Sequence, residues 1–183
     1  MHPPPAPPRP SSLDRNSDFA FVPLTEADLP LIETWLARPY VARWWGAVEQ
    51  ELPKIRDALR LPGIDPYRVD YRGRPLAYLQ CYRVDAESPP ALHDQPPGTR
   101  GIDLFIGEAE RLDQGIGTAM IRAFVTRLFA DSDTPRVIID PEPANLRAIR
   151  ANEKAGFRYL RTVDLGWGPS YLMACDRPAP ADQ

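Results

Sequence analysis

Residues 111–118 read R-L-D-Q-G-I-G-T, and residues 141–157 read P-E-P-A-N-L-R-A-I-R-A-N-E-K-A-G-F. In the first stretch two glycines, Gly115 and Gly117, let the chain turn tightly and let a ligand approach the backbone. Directly after them, apolar residues recur at 116, 119, 120, 123, 124 and 128, which is helical spacing over 115–129. A helix that begins on such a turn presents free amides and the positive end of its dipole, which suits a phosphate. A plain turn and helix start, with no ligand, is the competing reading. The stretch is not a Walker loop, because no Gly-Lys-Ser/Thr follows. It is not a dinucleotide fingerprint either, because position 120 is Met rather than Gly.

The second stretch predicts a helix over 144–155, stopped by Gly156 as a left-handed cap. Asn145, Ile149 and Asn152 fall on one face of it. Two asparagines among Ile and Ala need hydrogen-bond partners, from a polar ligand or from the protein itself. Working outward, Gly101–Gly107 and Arg136–Ile139 read as strands. Strand–helix–strand units over 101–139 and 136–163 imply parallel neighbours.

Upstream, Phe19–Leu24 predicts a first strand. Thr25 opens a helix over 25–37 with T-E-A-D, a capping-box-like start with Asp in the third helical position. Pro39 ends that helix, Tyr40–Gly46 reads as a loop, and 47–60 as a second helix. Tyr67–Tyr71 and Leu76–Val84 form a hairpin across Gly73–Arg74–Pro75. Residues 85–99, rich in proline and acid, form a loop. Phe157–Val163 and Ser170–Ala174 are the last strands. The pattern predicts an α/β fold: a mixed, twisted sheet of roughly six to seven strands covered by about four helices.

Composition bounds the function. The chain has 183 residues, which fits one domain. Net charge is −3, so a general nucleic-acid binder is not expected. No run of about 18 apolar residues offers a membrane span. Cys81 and Cys175 make no disulfide framework, and neither has a neighbouring His to activate it. The isolated histidines His2 and His93 make no metal site, so no metal is expected. Proline is the outlier, at 23 residues, crowded into the start, MHPPPAPPRP, and the end, DRPAPADQ. These segments predict a disordered leader over 1–17 and a flexible tail over 177–183, around a folded domain over 18–176. Charge is segregated. Residues 85–113 hold seven acids and two arginines, whereas 114–161 hold eight bases and five acids. One end attracts cations and the other anions.

The pairing of Q-G-I-G-T with N-L-R-A-I-R-A-N-E-K-A-G-F resembles the acetyl-CoA-binding core of the GNAT acetyltransferase superfamily. Within it, further pieces resemble aminoglycoside 6′-N-acetyltransferases. These are the helix ending E-T-W-L-A-R-P, the tandem W-W-G at 44–46, R-G-I-D at 100–103, and D-P-E-P-A-N-L-R-A-I-R from 140. The resemblance spans residues 20–174.

It implies the GNAT fold and an enzyme that transfers acetyl from acetyl-CoA, as co-substrate, to a primary amine. The amides of Gln114, Gly115, Gly117 and Thr118 would hold the pyrophosphate. The strand at 103–106 would splay from the 136–139 strand, with pantetheine in the gap. Amides near Leu104, Phe105 and Ile106 would polarise the thioester carbonyl. Asn145 would meet the coenzyme arm. An alkyl amine is mostly protonated at neutral pH, with a pKa of ~10.4, so a carboxylate that accepts its proton is useful. Asp103 is expected in that role, and Asp140 as a second acceptor-binding acid. Trp44 and Trp45 divide between a flat wall for a sugar or ammonium and core packing. The acidic 85–99 loop would draw a polycation.

Two departures stand out. The family commonly has a tyrosine where this chain has Asn152, which also faces the coenzyme and cannot protonate the departing thiolate. Tyr159, Tyr171 or water would have to serve. Leu112 stands where many members carry Arg or Gln. The resemblance implies a cytoplasmic enzyme, monomer or homodimer, with a cationic small-molecule acceptor and a part in antibiotic resistance. Another amine remains open as the acceptor: a siderophore precursor such as N6-hydroxylysine, a polyamine or a protein amine. So does a catalytically weak acyl-CoA-binding module.

Overall fold

The computed structural model describes residues 18–131 and 133–179. The expected leader, residues 1–17, and the last residues of the tail, 180–183, lie outside them. Among the described residues the strands are β1 (Phe19–Pro23), β2 (Ile64–Tyr71), β3 (Arg74–Arg83), β4 (Arg100–Ile106), β5 (Arg136–Ile139), β6 (Arg158–Asp164) and β7 (Pro169–Asp176). The helices are α1 (Leu29–Leu36), α2 (Pro39–Trp45), α3 (Val48–Ala58), α4 (Ile116–Asp131) and α5 (Leu146–Ala155).

The strands make one mixed sheet in the order β1-β2-β3-β4-β5-β7-β6. β4 and β5 are parallel, and every other pairing is antiparallel. The expected parallel contact between β5 and the strand after α5 does not form, because β7 inserts between β5 and β6. The crossover is real, but the last hairpin folds back into the slot beside β5.

The entry to α1 follows the capping-box expectation. Thr25 N–H and Oγ1 donate to Asp28 Oδ2 at 2.9 and 2.8 Å. The other oxygen of Asp28 accepts from Arg68 of β2 at 2.5 Å, tying the helix start to the sheet. The expected loop at 40–46 is instead helix α2. Pro39 does end the first helix, but it also occupies the opening turn of the next, where a missing N–H costs nothing. Val41 and Trp45, four residues apart, then turn one side of α2 inward.

Two-residue periodicity sorts the central strands. The register pairs Ala77 with Ile106, Leu79 with Leu104 and Cys81 with Ile102. These share the face covered by Met120, Ile121 and Phe124 of α4. Tyr78 pairs with Phe105, Gln80 with Asp103 and Tyr82 with Gly101, on the opposite face. There Tyr78 and Phe105 pack against Ile32, Trp35 and Leu36 of α1. The 85–99 segment is anchored by Leu92, which is buried against Ile138, Leu165 and Leu172.

Gly107 closes β4 against the ring of Trp35, a fully buried side chain whose Nε1 donates to Glu108 at 2.9 Å. A Cβ at Gly107 would sit 2.0 Å from that ring. Gly107→Ala is therefore expected to destabilise the protein by about 1–3 kcal/mol, the scale of core overpacking. Thermal unfolding checks this, and an unchanged Tm contradicts the packing described.

Candidate active site

β4 and β5 hydrogen-bond only at their start, where Arg100 pairs with Val137 and Gly101 with Ile138. Beyond that point they part. A cleft of about 1420 Å³ opens at the split and reaches both faces of the sheet. On the α4 face it is lined by Leu104, Ile106, Gly115, Gly117 and Thr118. On the opposite face it is lined by Trp44, Trp45, Gln80, Asp103 and Phe105. Asp140, at the end of β5, lies at the junction. Two molecules can enter from opposite faces and meet at the gap.

The glycine turn is sharp because Asp113 and Gly115 both adopt left-handed backbone, φ 59 and 75. A Cβ on Gly115 would meet nothing within 4 Å, whereas one on Gly117 would lie 3.1 Å from Ile106 Cδ1. The first turn bond of α4 runs from Ala119 N–H to Gly115 C=O at 3.1 Å. The amides ahead of it, Ile116, Gly117 and Thr118, are the unpaired donors of a helix start. Across the cleft, α5 contributes Arg147, Arg150 and Lys154. Free amides, a helix dipole and three cations fit a diphosphate. Thr118 Oγ1 donates to Ala151 C=O at 3.3 Å and ties α4 to α5.

At Gln114 the expected coenzyme contact is the main-chain amide, and the side chain takes no part in the cleft. That side chain folds back onto the Glu110 carbonyl. It lines a separate shallow pocket with Arg72, Arg74 and Arg111 rather than the cleft. Asn145 and Asn152 both line the cleft. Asn145 Oδ1 accepts from Ala148 N–H at 3.2 Å and caps α5, which leaves its Nδ2 for a ligand. Asn152 is almost fully buried, with Nδ2 3.9 Å from Met173 Sδ.

Asp103 Oδ2 accepts from Gln80 Nε2 at 2.8 Å, and Gln80 Oε1 accepts from the Tyr78 hydroxyl at 2.8 Å. Burial holds the carboxyls of both Asp103 and Asp140 above the ordinary carboxylate range. The Asp103 charge raises Asp140 further, while Ser170 hydrogen-bonds it and pulls the other way. Both acids keep partial access to water through the cleft.

Trp45 packs edge-on against Phe105 and Tyr78, at 4.8 and 5.6 Å between ring centroids. Trp44 carries the Arg43 guanidinium 4.7 Å above its ring. Tyr159 and Tyr171 face each other at 4.3 Å and neither lines the cleft. The acidic 85–99 loop does not line it either. That loop turns toward β6 instead, with Asp94 held by Arg161 at 2.7 Å.

Several cleft residues escaped the sequence reading. Gln80 is a polar residue inside an otherwise apolar strand, and Ser170 a hydroxyl at a strand start. Trp167, 70% exposed at the cleft mouth, sits between Gly166 and Gly168 in the β6–β7 hairpin. That G-W-G signal was readable.

Residues 25–165 match the model of the GNAT acetyltransferase domain family. The chain is a GNAT acetyltransferase. This enzyme is 36% identical over 165 residues to an aminoglycoside N(6′)-acetyltransferase type 1 of Klebsiella pneumoniae, covering 85% of this chain and 82% of that protein. It is 27% identical to the lysine N-acyltransferase MbtK of Mycolicibacterium paratuberculosis, covering 93% and 79%. Among solved structures, AAC(6′)-Ib in complex with ribostamycin and coenzyme A superposes with a TM-score of 0.76 at 32% identity, covering 87% of this acetyltransferase and 94% of that chain. Among the described residues, no helix is long and apolar enough to cross a membrane.

Proposed function

We propose that this acetyltransferase moves the acetyl group of acetyl-CoA to the 6′-amino group of an aminoglycoside by direct attack. The cleft through the split sheet carries this reading. It sets a diphosphate cradle on one face and two acids with tryptophans on the other. The identity to aminoglycoside acetyltransferases supports the acceptor class.

Acetyl-CoA supplies a thioester, whose carbonyl carbon accepts the amine. The amides of Ile116, Gly117 and Thr118 hold its diphosphate, backed by Arg147, Arg150 and Lys154. Alternate amides of β4, freed where β5 parts from it, face the opening and stabilise charge on the carbonyl oxygen. Asp103 and Asp140 bind the acceptor ammonium, and Asp103 takes its proton. The C–N bond forms as the C–S bond breaks. Of the two protons the ammonium loses, one leaves through Asp103 to solvent and one ends on the coenzyme thiol. Asn152 cannot deliver that second proton, and Tyr159 and Tyr171 lie off the cleft, so water supplies it. Trp44 and Trp167 at the mouth offer flat faces to a sugar ring or an ammonium. Expression of such an enzyme raises tolerance to kanamycin-type drugs.

A second reading takes N6-hydroxylysine as the acceptor, favoured by the similarity to a lysine N-acyltransferase. Thiol release with kanamycin, tobramycin, N6-hydroxylysine and spermidine separates the two. Kanamycin and tobramycin are expected to turn over fastest. Turnover of hydroxylysine alone would move the assignment to that branch. Coenzyme binding without turnover on any amine would indicate an acyl-CoA-binding module.

A further inference from the structure

We propose that Tyr78 and Gln80 are positioning residues that keep the negative charge of the Asp103–Asp140 pair on Asp103. The proposal rests on the reading that Asp103 takes the amine proton.

The cross-strand register puts Gln80 directly opposite Asp103, with Tyr78 two residues earlier on the same face. Tyr78 is fully buried, and Gln80 is the one hydrogen-bond partner of its hydroxyl among the described residues. An amide oxygen only accepts, so the Tyr78 hydroxyl must donate to Gln80 Oε1 at 2.8 Å. That fixes the amide with Nε2 toward Asp103 Oδ2, also at 2.8 Å. A flipped amide would aim its oxygen at Asp103 and leave the buried hydroxyl with nothing to accept its proton.

The two acids are thus treated differently. Asp103 faces an amide N–H, which can only donate and so favours the ionised carboxylate. Asp140 faces the Ser170 hydroxyl, which can donate to a carboxylate or accept from a carboxylic acid. One proton shared by the pair therefore rests on Asp140, and Asp103 remains the base.

The groups that face the pair are Tyr78, Gln80 and Tyr82 from β3, the pair's own members on β4 and just past β5, and Ser170 from β7, with Cys81 behind them on the other face of β3. Burial raises Tyr78 and Tyr82 above the usual phenol range and pushes Cys81 up to about 12. Near neutral pH the carboxyls titrate alone among them. Helices α2 and α3 also bring Arg43 and the Glu51–Lys54 ion pair to the cleft, and Glu142 lies on its wall.

The test is the pH profile of kcat/KM with one fixed acceptor, for wild type, Gln80→Leu, Tyr78→Phe and Asp103→Asn. Gln80→Leu is expected to move the acidic limb upward. Its activity falls about tenfold near pH 6 and only about twofold near pH 9, while KM for acetyl-CoA holds. Tyr78→Phe, which keeps the ring against Phe105, moves the limb the same way by a smaller amount. A loss equal at all pH values, or an unmoved limb, overturns the proposal. If Gln80→Leu does not fold, as judged by its melting curve, the Tyr78→Phe limb decides alone. Asp103→Asn separates the two levels. If it keeps the wild-type limb and rate, the base assignment fails. If it loses them while Gln80→Leu and Tyr78→Phe leave the limb in place, only the relay fails.

Discussion

Asp103→Asn is expected to lower kcat/KM for an aminoglycoside about a hundredfold, or about 2.7 kcal/mol of barrier, without lowering the melting temperature. Asparagine keeps the shape of the side chain, and its oxygen still accepts the Gln80 bond. It cannot take a proton. The stability half of the expectation follows from the raised carboxyls. Burial lifts both acids above their unfolded value of 3.8, so from about that pH upward the folded state holds more protons than the unfolded chain. Stability then falls as pH rises through the raised range. Removing one acid removes part of that loss, so the variant should be at least as stable as wild type at neutral pH and its Tm should vary less between acid and neutral buffer. Steady-state kinetics and thermal melts at matched pH check both halves. Near-wild-type turnover would remove Asp103 from the chemistry, and a collapsed Tm would show that the side chain serves the fold.

Gly117→Asp is expected to abolish coenzyme binding. For wild type, acetyl-CoA at about a hundred times its Kd stabilises the fold by about 2.7 kcal/mol. For a domain of this size that raises Tm by roughly 5–10 °C. An aspartate in the first turn of α4 is compatible with the helix, because negative charge suits that end of the dipole. It nevertheless places a carboxylate among the amides that would hold the diphosphate, with its Cβ pressed against Ile106. The variant should melt near wild type alone and show no shift with acetyl-CoA. Gly117→Ala, which adds bulk without charge, should retain a reduced shift. A full shift in Gly117→Asp would place the coenzyme elsewhere.

Much of this site is written locally. The left-handed turn at 113–115, the amphipathic run after it and the Asn145–Gly156 helix follow from glycine placement and period, and each formed where it was expected. Asp103 stood out by its motif. The misreadings came from elements whose role depends on neighbours. Pro39 ends one helix and begins another, and the apolar spacing of Val41 and Trp45 has meaning only against the core they enter. The acidic 85–99 loop carries the right charge, but Leu92 anchors it against Ile138, Leu165 and Leu172, and it does not line the cleft.

The amino-acid sequence by itself determined the strand faces, the glycine turn and the chemical types at the site, because each depends on residues within a few positions of one another. Only the tertiary structure decided that Asp103 and Asp140 share a cleft and that Gln80 rather than an apolar neighbour faces Asp103. These rest on strand register and on the parting of β4 from β5. Both are fixed by packing between segments far apart in the chain, where local periodicity carries no information.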